Sequence, residues 1–174
     1  MSESPSMQKL TKAYDRMMER VKSSLEQTEQ DTAPNLQQSI ERAAEKAVEL
    51  GELSRDEAQL LSQYLQRDLE DAGRYLAITG QDLGTWLRFD LDLIEDRLLE
   101  FFSAAADKTR LEMLAFEEEV ERASHYRTGE ITGPGTLQCD NCGELLRFPA
   151  TAHIPPCPKC HASDFSRLAL DTES

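Results

Sequence analysis

The chain has 174 residues, with 19 Lys and Arg against 33 Asp and Glu, for a net charge of −14. That length suits one ordinary domain, or a helical body carrying a small appended module. Residues 1–128 hold 16 basic and 27 acidic side chains (−11) and residues 129–174 hold 3 and 6 (−3), so neither part offers a basic face for phosphate binding, and no run approaches the ~20 apolar residues that span a membrane.

The first elements in chain order are helices. Met7, Leu10, Tyr14, Met17 and Val21, with Leu25 behind them, recur at three-and-four spacing and mark one stripe. Asp31-Thr-Ala-Pro34 breaks it, because proline excludes the preceding residue from helical geometry. A second helix has Leu36, Ile40, Ala43, Ala47 and Leu50 on its apolar face and stops at Gly51. Ser54 and Glu57 then form a capping box. The helix it opens buries Ala58, Leu61, Leu65, Leu69, Ala72 and Leu76 and closes near Gly80.

The stretch from residue 82 to 106 is the most apolar. Leu83, Leu87, Leu91, Ile94, Leu98 and Phe101 form its stripe, widened by Trp86, Phe89 and Phe102. Read as one helix, it is roughly 35 Å long. Asp107 either caps a last helix through Leu111, Leu114, Val120 and Ala123 or lies inside the preceding one, and the pattern leaves both open. The spacings suit antiparallel helical hairpins or coiled-coil packing.

From Gly129 the texture becomes that of turns, with nine Gly and Pro residues before Lys159. All four cysteines lie here, in the pairs Cys139/Cys142 and Cys157/Cys160, with fourteen residues between the pairs. Two C-x-x-C bites supply the four sulfurs of a closed tetrahedral zinc site. Thr136–Gln138 and Glu144–Phe148 flank the first pair as strands; Ala152–Ile154 and Phe165–Leu168 are expected to flank the second, giving two hairpins. Gly143 permits the tight first knuckle, and His161 holds the same place in the second, where Gly would be easier. The expected fold is therefore mainly α, with a helical hairpin or coiled-coil-like body over residues 1–128 and a small C-terminal β zinc ribbon over residues 129–174.

Cys139, Cys142, Cys157 and Cys160 are read as ligands of one structural Zn²⁺. A catalytic zinc keeps a position for water, which four thiolates fill. A redox C-x-x-C belongs at a helix start in a βαβ pattern, and none is present. With Met1 to Gln30 polar and charged, a cytoplasmic, reducing location is expected, where such pairs bind metal rather than form disulfides. His153 and His161 are read as neighbours of the metal site, and His125 as a packing residue. The run Glu117–Glu121 fans out around a helix and is read as a solvated face. Asp68 and Asp71 stand three apart with no positioned partner to be inferred.

Several stretches together resemble one family, the bacterial YbeL-like zinc-ribbon-containing proteins of uncharacterised function. They are Gly51-Glu-Leu-Ser-Arg-Asp-Glu57, Tyr64-Leu-Gln-Arg-Asp-Leu-Glu70, Ala106-Asp-Lys-Thr-Arg-Leu-Glu112, and Tyr126-Arg-Thr-Gly-Glu-Ile131 followed by Gly133-Pro-Gly-Thr-Leu-Gln-Cys139 and both cysteine pairs. Ala106 stands where the family has a threonine. The resemblance covers about residues 9–168. It implies a helical region joined to a zinc ribbon in a cytoplasmic bacterial protein, and it carries over the four cysteines as ligands. It supplies no activity.

The function expected is that of a non-enzymatic interaction or adaptor protein, binding a protein partner or a second copy through its helices. The alternative is a regulator of transcription or translation that docks on RNA polymerase or ribosomal proteins. Direct nucleic-acid binding is not expected, since only Arg147, Lys159 and Arg167 lie around the knuckles. No small-molecule substrate is indicated, and no membrane association.

Overall fold

Apolar stripes at helical spacing become helices in the computed structural model, which describes residues 5–26, 36–79, 83–88, 91–116 and 125–167. Five α-helices precede the strands: α1 (Pro5–Glu26), α2 (Leu36–Glu49), α3 (Arg55–Thr79), the short α4 (Leu83–Leu87) and α5 (Asp96–Phe116). Tyr14, Met17 and Val21 of α1, Ile40 and Ala47 of α2, Leu61 to Leu76 of α3 and Leu98 and Phe102 of α5 share one core. The capping box forms as read. Glu57 N donates to Ser54 Oγ at 3.1 Å, and Ser54 N donates to Glu57 Oε1 at 2.9 Å, holding the Glu57 carboxyl below its ordinary pKa. Leu50 departs from its expected place: it lies beyond α2, is 55% exposed, and Leu53 is buried in its stead.

The stretch from residue 82 to 106 is not one helix. α4 ends at Leu87, Arg88 after it takes a left-handed φ of 65°, and a 3-10 turn (Leu91–Leu93) precedes α5. Thr136 donates its hydroxyl to Leu87 O at 2.7 Å, satisfying one of the carbonyls a helix end leaves orphaned. Trp86 meanwhile stacks on Phe102 with centroids 5.5 Å apart. α5 then runs straight through Asp107, which decides the question the pattern left open. Phe89, Asp90 and the segment 117–124, including the glutamate run, lie outside the described residues, as does Leu168.

Six short strands follow: β1 (Tyr126–Arg127), β2 (Ile131–Thr132), β3 (Gly135–Cys139), β4 (Leu145–Phe148), β5 (Ala152–His153) and β6 (Asp164–Arg167). They form one antiparallel sheet in the order β1-β6-β3-β4 and a separate pair, β2-β5. The first cysteine pair sits in the expected hairpin, β3-β4. The second does not, since β5 pairs with β2 and β6 crosses to the other edge of β3. One residue past β5, after Ile154, come Pro155 and Pro156; without N–H groups they cannot continue a ladder.

The sheet is fastened to the helices by a buried polar seam. Asp68 of α3, with no exposed surface, accepts from Tyr14 Oη (2.5 Å), Gly133 N (2.9 Å) and Arg67 Nε (3.2 Å), and faces Arg167 Nη2 at 3.5 Å. Three residues on, Asp71 accepts from Tyr126 Oη, which in turn accepts from Arg167 Nε at 3.0 Å. Arg67 also donates to Glu130 Oε1 and to Ile131 O, both at 2.8 Å, while its guanidinium lies 3.9 Å from the Tyr126 ring centroid. Burial first, and then the Asp68 charge, raise the Tyr14 pKa, so its hydroxyl stays a donor. Burial works against the charge on Arg167, yet Tyr126, Asp68 and Asp71 hold its pKa above the ordinary value. Ile131 completes the helical core from the ribbon side.

Candidate metal centre

Each cysteine pair sits on a tight knuckle, and the two knuckles repeat the same hydrogen bonds. Cys139 N donates to Glu144 O at 2.8 Å and Gly143 N to Cys139 O at 3.0 Å; Cys157 N donates to Ala162 O and His161 N to Cys157 O, both at 2.9 Å. Gly143 has φ 81° and His161 φ 63°. The second knuckle therefore demands the left-handed conformation of the first and imposes it on a side chain that adopts it at a cost. Lys159 N points at Cys157 Sγ from 3.4 Å.

The knuckles bring all four sulfurs within 4.8 Å of one another. Cys139 and Cys160 are 3.5 Å apart, as are Cys142 and Cys157, and all four thiols are free of disulfides. A tetrahedron with Zn–S bonds of about 2.3 Å sets its sulfurs roughly 3.8 Å apart, so the arrangement suits a zinc ion. Among the described residues no histidine or carboxylate joins the cluster. His161 is exposed, and His153 pairs with Ile131 in the β2-β5 ladder.

The electrostatics point the same way. The Cys160 thiol is pulled down to about 6, first by the Asn141 side chain and then by the Ala162 N–H. Cys142 is pushed up to about 12: the Glu144 N–H lowers it, but burial and hydrogen bonds to three neighbouring sulfurs outweigh that donor. Sulfurs this close cannot all ionise against one another. A divalent cation is the partner that lets them do so.

The family described as zinc-ribbon containing domain matches residues 23–169. The chain belongs to this family. Relatives include the uncharacterized protein YbeL of Escherichia coli K12 and its counterparts in the O6:H1 and O157:H7 strains. Each is 27% identical over 134 residues, covering 76% of this chain and 81% of the relative. No solved structure matches. No helix among the described residues is long and apolar enough to cross a membrane.

Sequence reading found the sulfurs and missed the seam. Asp68 lies three residues beyond Leu65 on the buried stripe of α3, and a carboxylate at such a position implies a buried partner. That signal was available. Arg167 stood among the cations expected near the knuckles, whereas its side chain is 9% exposed and aimed inward, leaving Arg147 and Lys159. His125 is not a packing residue: it is exposed, and its carbonyl accepts from Arg67 at 3.3 Å.

Proposed function

We propose that the chain is a non-enzymatic, cytoplasmic protein-interaction module in which Cys139, Cys142, Cys157 and Cys160 hold one structural zinc ion. The closed sulfur set carries this reading. When four thiolates fill a tetrahedral ion, no position is left for water or substrate, so the metal serves the fold. The buried seam supports it from the other side: a ribbon held on its helices by Asp68 and Asp71 presents a fixed surface to a partner. Burial of Arg167 further weakens any case for direct nucleic-acid binding.

Affinity capture of the tagged, zinc-loaded chain from its own host, after nuclease treatment, tests the reading. The expected result is a stoichiometric complex with a defined protein, lost in Cys139→Ser. A monomer that forms no complex, or one that turns over a substrate, contradicts it.

A further inference from the structure

Helix α2 carries two charged edges, each lining a different groove. Its basic edge, Arg42 and Lys46, lines a cleft against α1 where both signs meet: Arg20 donates twice to Glu52, at 2.8 and 2.7 Å, and Arg16 lies 3.6 Å from it. The acidic edge, Glu41, Glu45 and Glu49, lines a groove of about 780 Å³ between α2 and α3, and the wall opposite is built of Gln59, Gln63 and Gln66 with one cation, Arg55. Lys46 approaches Glu49 only to 3.9 Å, with both side chains at least half exposed. Glutamates four residues apart on one helix repel; the Gln37 amide donates to Glu41 at 3.3 Å, but three carboxylates share the groove with a single guanidinium.

The floor between these walls is apolar. Ala44 and Val48, half-buried, stand at four-residue spacing along α2, beside Ile40 and Ala58, which are buried in the helical core. Ala44 and Ala58 are short enough to let another backbone come close. From Gln37 to Glu49 the groove is about 18 Å long, the length of a helix of roughly twelve residues.

We propose that this groove docks a basic amphipathic helix of a protein partner. The partner lays its apolar row on Ala44 and Val48, sets Lys or Arg against Glu41, Glu45 and Glu49, and turns its uncharged polar flank to the glutamines. A second copy of the chain is disfavoured, because pairing α2 with itself sets glutamate against glutamate in a molecule of net charge −14. The proposal rests on the interaction-module reading and gives the partner its chemistry.

The probe is a synthetic amphipathic peptide with leucines at helical spacing and lysines along one flank, titrated into the zinc-loaded full chain at about 0.15 M salt. A scrambled peptide of the same composition serves as control. The expected result is saturable binding at least roughly ten-fold tighter than the control. NMR shifts should be confined to α2 and α3. Glu41→Lys/Glu45→Lys should weaken it by a similar factor, and Ala44→Trp, which fills the groove without changing charge, should abolish it. Equal binding of the scrambled peptide, shifts elsewhere, or full affinity in either variant overturns the proposal. A host-protein complex undiminished by Ala44→Trp also overturns it, while leaving the interaction-module reading standing.

Discussion

Arg167, on the strand paired with cysteine-bearing β3, and Asp68, in the middle of α3, face each other 3.5 Å apart with the carboxylate wholly buried. β6 pairs with β3 at Cys139↔Phe165, so Arg167 sits two residues from a strand position locked to the first knuckle. The metal site and the helical core are thus joined through a short run of backbone.

Arg167→Met tests that connection. It leaves Asp68 and Asp71 short of a cation in a buried setting, which costs about 3–5 kcal/mol when one partner of a buried pair is removed. Urea unfolding is expected to show a midpoint shift of that size. Arg167→Lys is expected to rescue little, because a single ammonium cannot serve Asp68, Tyr126 and Thr132 as the planar fork does.

α3 and α5 lie close at Gly73, where an added Cβ would stand 2.6 Å from Thr109 Cγ2. Gly73→Ala is expected to destabilise by about 1–3 kcal/mol despite the better helix propensity of alanine. A calorimetric melting temperature equal to or above the parent's would show that this helix pair has slack.

His161 holds the left-handed place that Gly143 holds in the other knuckle. His161→Gly is expected to stabilise the ribbon by about 0.5–1 kcal/mol and to leave metal content unchanged. Thermal unfolding together with zinc analysis checks both.

Asp15 of α1 accepts from Thr151 of the ribbon, and burial, opposed by that hydrogen bond and aided by the Glu95 charge, raises its pKa to about 6. A folded pKa above the unfolded one gives a stabilising contribution that is complete below about pH 4 and is lost as pH rises through about 6. Asp15→Asn is expected to be more stable than the parent at pH 7–8 by about 1–2 kcal/mol, with the advantage shrinking as pH falls through about 6. Stability curves for both proteins across that window check the sign.

The helices were legible because Leu61, Leu65, Leu69, Ala72 and Leu76 repeat at a spacing only a helix satisfies, and the metal site because C-x-x-C geometry is local. What escaped the sequence was set at long range. The hydroxyl that satisfies Leu87 O at the end of α4 comes from Thr136, 49 residues away, and one partner of Asp68, Arg167, lies 99 residues on. The strand order of the second knuckle escaped for the same reason: β6 could pair with β5, β3 or β1, and no local turn decides among them.

The seam also revises what metal loss should do. From sequence alone, Cys139→Ser is expected to unfold the ribbon and spare the helices. With Ile131 in the helical core, Tyr126 bonded to Asp71 and Arg167 facing Asp68, loss of the ribbon removes a partner from each carboxylate. The most direct measurement is therefore amide hydrogen exchange on the full chain, with its zinc content determined, before and after chelation. One zinc per chain is predicted, and its removal should abolish protection both in β3 and β6 and in the Leu65–Ala72 segment of α3. Protection that survives chelation in the strands, or protein that is fully folded without metal, would contradict a zinc-held ribbon seated on its helices.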